Sequence, residues 1–157
     1  MPESLGDLSR PQHLDCSRCK CLSRLPPNLG CLSMLRVSKC SWYTDSVDLP
    51  SSLQRLTSLQ HLDCHGCTKL LELPAGLGHL SQLQHLDCSG CASLMRLPAS
   101  TSQLCHLQRL DFQECASFEG LPESSASCQS CSTWTAPAAS VSAGGHKASD
   151  AFLRCES

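Results

Sequence analysis

The segment Leu59-Gln-His-Leu-Asp-Cys-His-Gly-Cys67 returns as Leu83-Gln-His-Leu-Asp-Cys-Ser-Gly-Cys91 and, more loosely, as Leu107-Gln-Arg-Leu-Asp-Phe-Gln-Glu-Cys115, each time 24 residues further on. A fixed period of this size makes each unit one supersecondary element. It cannot bury its own apolar side, so neighbours must stack into a solenoid. The frame extends well beyond the matched segments. Pro26, Pro50, Pro74, Pro98 and Pro122 share one column, preceded by Leu25, Leu49, Leu73, Leu97 and Leu121, and Leu32, Leu56, Leu80 and Leu104 share another. Pro2, Leu5, Leu8, Leu14, Asp15 and Cys16 already obey it, so the chain is expected to open in mid-repeat.

Within a unit, Leu62 and Cys64 alternate with His61, Asp63 and His65, the period-2 pattern of a short strand with one buried face. Leu70, Leu73, Leu77 and Leu80 then recur at spacings of three and four, too short a run for a long helix but suited to one or two turns of helix or 3₁₀ on the outer side. Pro74 suits a first turn, where its missing N–H costs nothing. Fourteen cysteines in 157 residues would mark a disulfide scaffold in a secreted chain, but their positions argue differently. Cys16, Cys64 and Cys88 hold a slot that Phe112 fills later, and Cys31 and Cys105 lie among the leucines. A free thiol packs as a small hydrophobe, so all of these read as stand-ins for aliphatic side chains.

The unit LxxLDCxxCxxLxxLPxxLxxLxx resembles the leucine-rich repeat over roughly residues 1 to 130. The resemblance implies an α/β solenoid: a short right-handed horseshoe with a parallel concave sheet and short helical or 3₁₀ convex segments. It also implies that Cys67, with Cys19, Cys91 and Cys115, takes the inward turn position that the family fills with Asn or Cys, where the side chain bonds loop backbone groups. Phrases such as Leu86-Asp-Cys-Ser-Gly-Cys91 with Leu97-Pro98 closely resemble the repeats of plant intracellular nucleotide-binding, leucine-rich-repeat immune receptors. That resemblance implies a sensor or autoinhibitory repeat region of a disease-resistance protein. The chain departs from it in carrying Cys where the plant pattern usually has Leu, and a GxxxxGK(S/T) phosphate loop is absent, so no nucleotide chemistry is assigned.

The second unit breaks the pattern. Strict phasing buries Ser38 and sets Tyr43 in the turn position, whereas a shift of three residues aligns Leu32, Leu35, Val37 and Cys40 with Leu59, Leu62, Cys64 and Cys67. The shifted phase buries more apolar surface, so a strand is expected near Leu35 to Val37, with the displaced residues absorbed between Trp42 and Asp48. From about Cys128 the leucines stop, and Ser125, Cys128, Cys131 and Trp134 take their slots. The small-residue stretch that follows cannot offset its ordering entropy, so residues 131–157 are expected to be a disordered tail.

Outward-facing strand positions build columns on the concave face. One reads His13, His61, His85 and Arg109, the next Asp15, Asp63, Asp87 and Asp111, and a third Ser17, His65, Ser89 and Gln113. Met34, Arg36 and Ser38 join them under the shifted phase. A flat, already organised face loses little entropy on docking, and a protein partner is expected there. The same columns also suit a face that merely stays soluble, copied by duplication. Adjacent carboxylates repel, and histidines protonating below about 6.5 offer a pH-dependent relief. Trp42 and Tyr43 are the expected exposed aromatics and could anchor a contact, with packing within the three-residue insertion the leading expectation for them.

Three other chemistries compete. The pairs Cys16–Cys19, Cys64–Cys67 and Cys88–Cys91 have zinc-ribbon spacing, but four thiolates would have to converge, and the next pair becomes Phe112 and Cys115. A CxxC redox motif would open a helix of a βαβ unit, which none of these does. Cys64–His65 and Cys105–His106 lack an oriented third group, and adjacent strand residues point to opposite faces, so no catalytic residues, metal or cofactor are assigned. The net charge of −2 leaves no basic footprint for nucleic acid or an anionic membrane. No stretch approaches the roughly 18 apolar residues of a membrane span, and the start has neither the basic nor the apolar part of a signal peptide, so a cytoplasmic setting is expected. A protein-interaction repeat region is thus the leading expectation, with a zinc-ribbon array and a truncated product or generic cytosolic leucine-rich scaffold lacking its own function as rivals.

Overall fold

The computed structural model describes residues 11–19, 25–45, 47–119 and 133–135. Six three-residue strands, β1 (His13–Asp15), β2 (Val37–Lys39), β3 (His61–Asp63), β4 (His85–Asp87), β5 (Arg109–Asp111) and β6 (Thr133–Thr135), pair in parallel in sequence order. Each strand meets the next in strict 24-residue register, as in His61↔His85 and Leu62↔Leu86. The ladder runs on past the strand ends: Cys64 N–H donates to the Asp87 carbonyl and Gly66 N–H to that of Ser89, both at 2.8 Å. A strand that must turn inward after three residues keeps its backbone satisfied in this way.

Leucines at the fixed positions of each unit form one continuous core, with Leu59, Leu62, Leu70, Leu73, Leu77 and Leu80 all buried in the third. Removing one leucine side chain from water contributes about 1.5–3 kcal/mol, and each does so only because the neighbouring units cover it. On the outer side the described helical segments are all 3₁₀: Pro27–Cys31, Ser51–Arg55, Leu77–His79 and Ala99–Gln103. The column proline stands just before the turn rather than inside it. Pro26, Pro50 and Pro98 are extended N-caps, and the carbonyls of all four prolines accept from the residue three further on. A second, shorter parallel ladder joins Asp48, Glu72 and Arg96.

The expected shift in the second unit is overturned. Its strand is Val37–Lys39 in strict phase, Ser38 and Leu35 are both fully buried, and Tyr43 fills the turn position that Cys67 holds in the next unit. The decision lies in the backbone. Arg36 and Val37 N–H donate to the Gln12 carbonyl, Cys40 N–H to that of Asp63 and Trp42 N–H to that of His65. Setting Ser in a leucine slot forgoes about 1.5–3 kcal/mol of burial. Slipping the strand would strand several main-chain groups at about 1–3 kcal/mol each. Leu35 therefore matches Leu59, not Leu62, and no insertion lies between Trp42 and Asp48. Tyr43 is buried rather than exposed, while Trp42 is 47% exposed.

At the other end Phe112, in the Cys slot, stacks on Phe118 with ring centroids 4.9 Å apart. The sheet also reaches past residue 130, because Thr133–Thr135 pairs with β5 and sets Trp134 opposite Leu110. The remainder of the expected tail, 131–132 and 136–157, lies outside the described residues.

Candidate functional site

The concave columns form as expected, with changes where the second unit enters. His13, Val37, His61, His85, Arg109 and Thr133 stand in one row and Asp15, Lys39, Asp63, Asp87, Asp111 and Thr135 in the next. Ser17, Ser41, His65, Ser89 and Gln113 follow at the turn. Of the residues assigned under the shifted phase, Ser38 faces the core and Met34 lies exposed in the connection before β2. Arg36 is exposed but precedes the strand, in a row with Gln12, Gln60, Gln84 and Gln108 rather than at the centre of the face. Val37, Lys39 and Ser41 were missed; strict phasing alone would have found them.

The aspartate row has a structural task. Asp15, Asp63, Asp87 and Asp111 each accept, through Oδ1, the N–H two residues on, at 2.9–3.0 Å. This Asx turn satisfies the backbone as the chain leaves the sheet, which explains the recurrence of Asp there. Hydrogen bonding also answers the repulsion within the row. Bonds from the Ser17 hydroxyl and N–H hold Asp15 below the usual carboxylate range. At Asp111 burial pushes the pKa up, but bonds from Thr135, Gln113 N–H and Arg109 outweigh it and leave a net lowering. In the second unit the row carries Lys39, a cation among carboxylates.

The histidines interact with one another. His61 and His85 stack face to face, with centroids 4.5 Å apart and planes 6° from parallel. Partial burial, then the neighbouring His85 and His13, lower the pKa of His61, the opposite of what easy protonation beside the aspartates requires. Along the turn, Ser41 donates to Asp63 Oδ2 at 2.7 Å, and His65 Nδ1 lies 2.8 Å from Ser89 Oγ, which donates to Asp87 Oδ1 at 2.5 Å. This trio is not wired as a hydrolase triad, in which the acid orients the histidine. Here Asp87 holds the serine, and the network serves the turn.

The thiols behave as filler with a directional component. Cys67, Cys91 and Cys115 donate S–H to the carbonyls of Cys40, Cys64 and Cys88 in the preceding unit, at 3.2, 3.2 and 3.0 Å. Burial pushes Cys40 up to about 12 and holds Cys64 well above the ordinary thiol range. A zinc ribbon needs four converging thiolates, whereas Cys67, Cys91 and Cys115 each direct the sulfur to a main-chain carbonyl of the preceding unit. Among the described residues no group of three or more His, Cys, Asp or Glu is placed to hold a metal. Not every cysteine is filler, however. Cys31 and Cys105, expected among buried leucines, are exposed because they fall on the outer face of the 3₁₀ side, and Cys19 is exposed too.

No protein-family model matches this sequence, and no curated protein matches it. Among solved structures, the leucine-rich repeat domain of the type III effector XopL superposes with a TM-score of 0.63 at 25% identity, over 74% of this chain and 39% of that one. The fold is a leucine-rich-repeat solenoid. A leucine-rich-repeat protein of Leptospira interrogans superposes with a TM-score of 0.55 at 24% identity, over 83% of this chain and 38% of that one. The chain thus spans well under half the length of either. No helix among the described residues is long and apolar enough to cross a membrane.

Proposed function

We propose that the chain is a non-enzymatic protein-interaction module that binds a protein or peptide on its concave face, and that it acts in the cytoplasm as the sensing or autoinhibitory repeat region of a plant-type immune receptor. The observation that carries the binding role is the in-register face itself. Its polar rows are held by main-chain ladders, Asx turns and a histidine stack, so a partner meets side chains that are already ordered. The receptor assignment rests on the likeness of the Cys-bearing unit with its Leu-Pro step to plant repeats. A cytoplasmic setting agrees with the ten cysteines among the described residues, all free thiols and seven of them buried, a state suited to a reducing compartment.

A photoreactive amino acid placed at His61 or His85, and for comparison at Ser51 on the convex side, tests the binding face in cell extract. Adducts of defined mass should form from both concave positions, and those from the His61 probe should disappear with an added His85→Glu change. Equal adducts from both sides, or none, overturn the reading.

A further inference from the structure

The third residue after each of β1 to β5 takes the left-handed backbone: Arg18 (φ 59°), Trp42 (61°), Gly66 (70°), Gly90 (70°) and Glu114 (60°). Glycine adopts it freely, while a side chain there costs about 1–2 kcal/mol, and an indole has none of the local hydrogen bonding with which Asn or Asp offsets the strain. Core burial does not compensate at Trp42, which is 47% exposed. Its ring instead lies over the next unit. A Cβ on Gly66 would come within 2.8 Å of Trp42 Cε3, and the His65 ring meets the indole edge-on at 5.0 Å. The indole is therefore held in place with much of its surface open to solvent. One unit further, Gly90 is bare backbone, and a Cβ there would find nothing nearer than Gly66 Cα at 3.4 Å. Glu114, exposed, follows in the same row.

Charge selects the occupant. Around β3 to β5 stand Asp63, Asp87, Asp111 and Glu114 against Arg109, which is already tied to Asp111 at 3.3 Å. Arg18, Arg36 and Lys39 gather on the β1–β2 side, behind Trp42, whose indole leans the other way over Gly66. We propose that the shelf formed by Trp42, Gly66 and Gly90 seats a basic peptide segment, with one Lys or Arg side chain laid along the indole toward Glu114. Rigid aromatics of this kind make good anchors because little side-chain freedom is lost on contact, and a cation over an indole face is favourable. The proposal rests on the reading of the chain as a protein-interaction module and places the subsite on the rim, beside the concave rows.

The test uses the full chain and fluorescein-labelled eight-residue peptides, one alternating Arg with Gly and one alternating Glu with Gly, followed by anisotropy. The basic peptide should bind at least about tenfold more tightly than the acidic one, and more weakly as salt rises. Trp42→Gly, which restores the residue of the two following units, should weaken binding about tenfold with no fall in thermal midpoint, while Trp42→Phe stays within about threefold of the native chain. Glu114→Gln should weaken it about threefold. Equal binding of both peptides, or basic-peptide binding that survives Trp42→Gly, overturns the shelf. Concave-face adducts lost with His85→Glu in a chain whose Trp42→Gly variant still binds the basic peptide would sink the shelf alone; absence of both adducts and peptide binding would sink the interaction reading with it.

Discussion

The second unit and the two that follow share one backbone but not one set of side chains. Where the third and fourth units place Leu62 and Leu86 at the strand centre, the second places Ser38, and where they place Cys67 and Cys91 in the turn, it places Tyr43. Both solutions keep the same register and the same buried positions. In a parallel stack, register belongs to the main-chain ladder and the flanking leucines collectively, so one slot can be filled poorly without moving the strand.

Alkaline pH should break the thiol-rich units first. The third and fourth each bury two thiols, the second only Cys40. Burial raises Cys16 and Cys115 to about 11 and Cys40 to about 12. Cys88 also lies near 11, where a bond with Cys91 lowers it but burial together with neighbouring Cys64, Cys115 and Asp87 outweighs that bond. Unfolded thiols release their protons near 8.5. Above that pH the native state binds more protons than the unfolded one, so stability is full below about 8.5 and falls as pH rises toward 11–12. Circular dichroism followed from pH 7 to 12 should show this loss, with hydrogen exchange opening β3 and β4 before β2. A flat profile to pH 11 would contradict it.

Leu62→Ala should cost about 2–5 kcal/mol in urea denaturation. Ser38→Ala, at the equivalent position, should cost less than about 1 kcal/mol, because its hydroxyl has only a weak 3.6 Å contact with Cys40 Sγ to lose. Similar costs would mean that the two slots are not equivalent after all. Gly90→Ala should lose about 1–2 kcal/mol to its left-handed backbone alone. Gly66→Ala should lose more, since the new Cβ also runs into Trp42, and a Trp42→Gly background should bring the two glycines level. The smallest effect is a gain: Lys39→Asn should restore the Asx bond to the Ser41 N–H and stabilise the second unit by about 0.5–1 kcal/mol, read as a rise in urea midpoint.

Much of this molecule was legible because a 24-residue period carries its own evidence: Leu59, Leu83 and Leu107 repeat, and so do the prolines and the aspartates. The concave rows of His, Asp and Ser followed directly. Trp42 is exposed, as its position suggests, but it lies over Gly66 and not within an insertion. The phase of the second unit was not legible, because counting apolar side chains rewards Val37 over Ser38 and gives no weight to the hydrogen bonds of Arg36, Cys40 and Trp42. Nor was the aspartates' bond to their own turn, which looks from the sequence like a row of surface charge. The exposure of Cys31 and Cys105 escaped for a related reason: a position among leucines does not say which side of a 3₁₀ turn it occupies.

By itself the sequence determined that identical units must stack, since no 24-residue segment can cover its own leucines. Only the tertiary structure decided where each strand stops and starts against its neighbour, and that the indole of Trp42 lies across Gly66, since both depend on atoms a full repeat away in the chain. Burial can be read one side chain at a time, whereas register is a property of two backbones together.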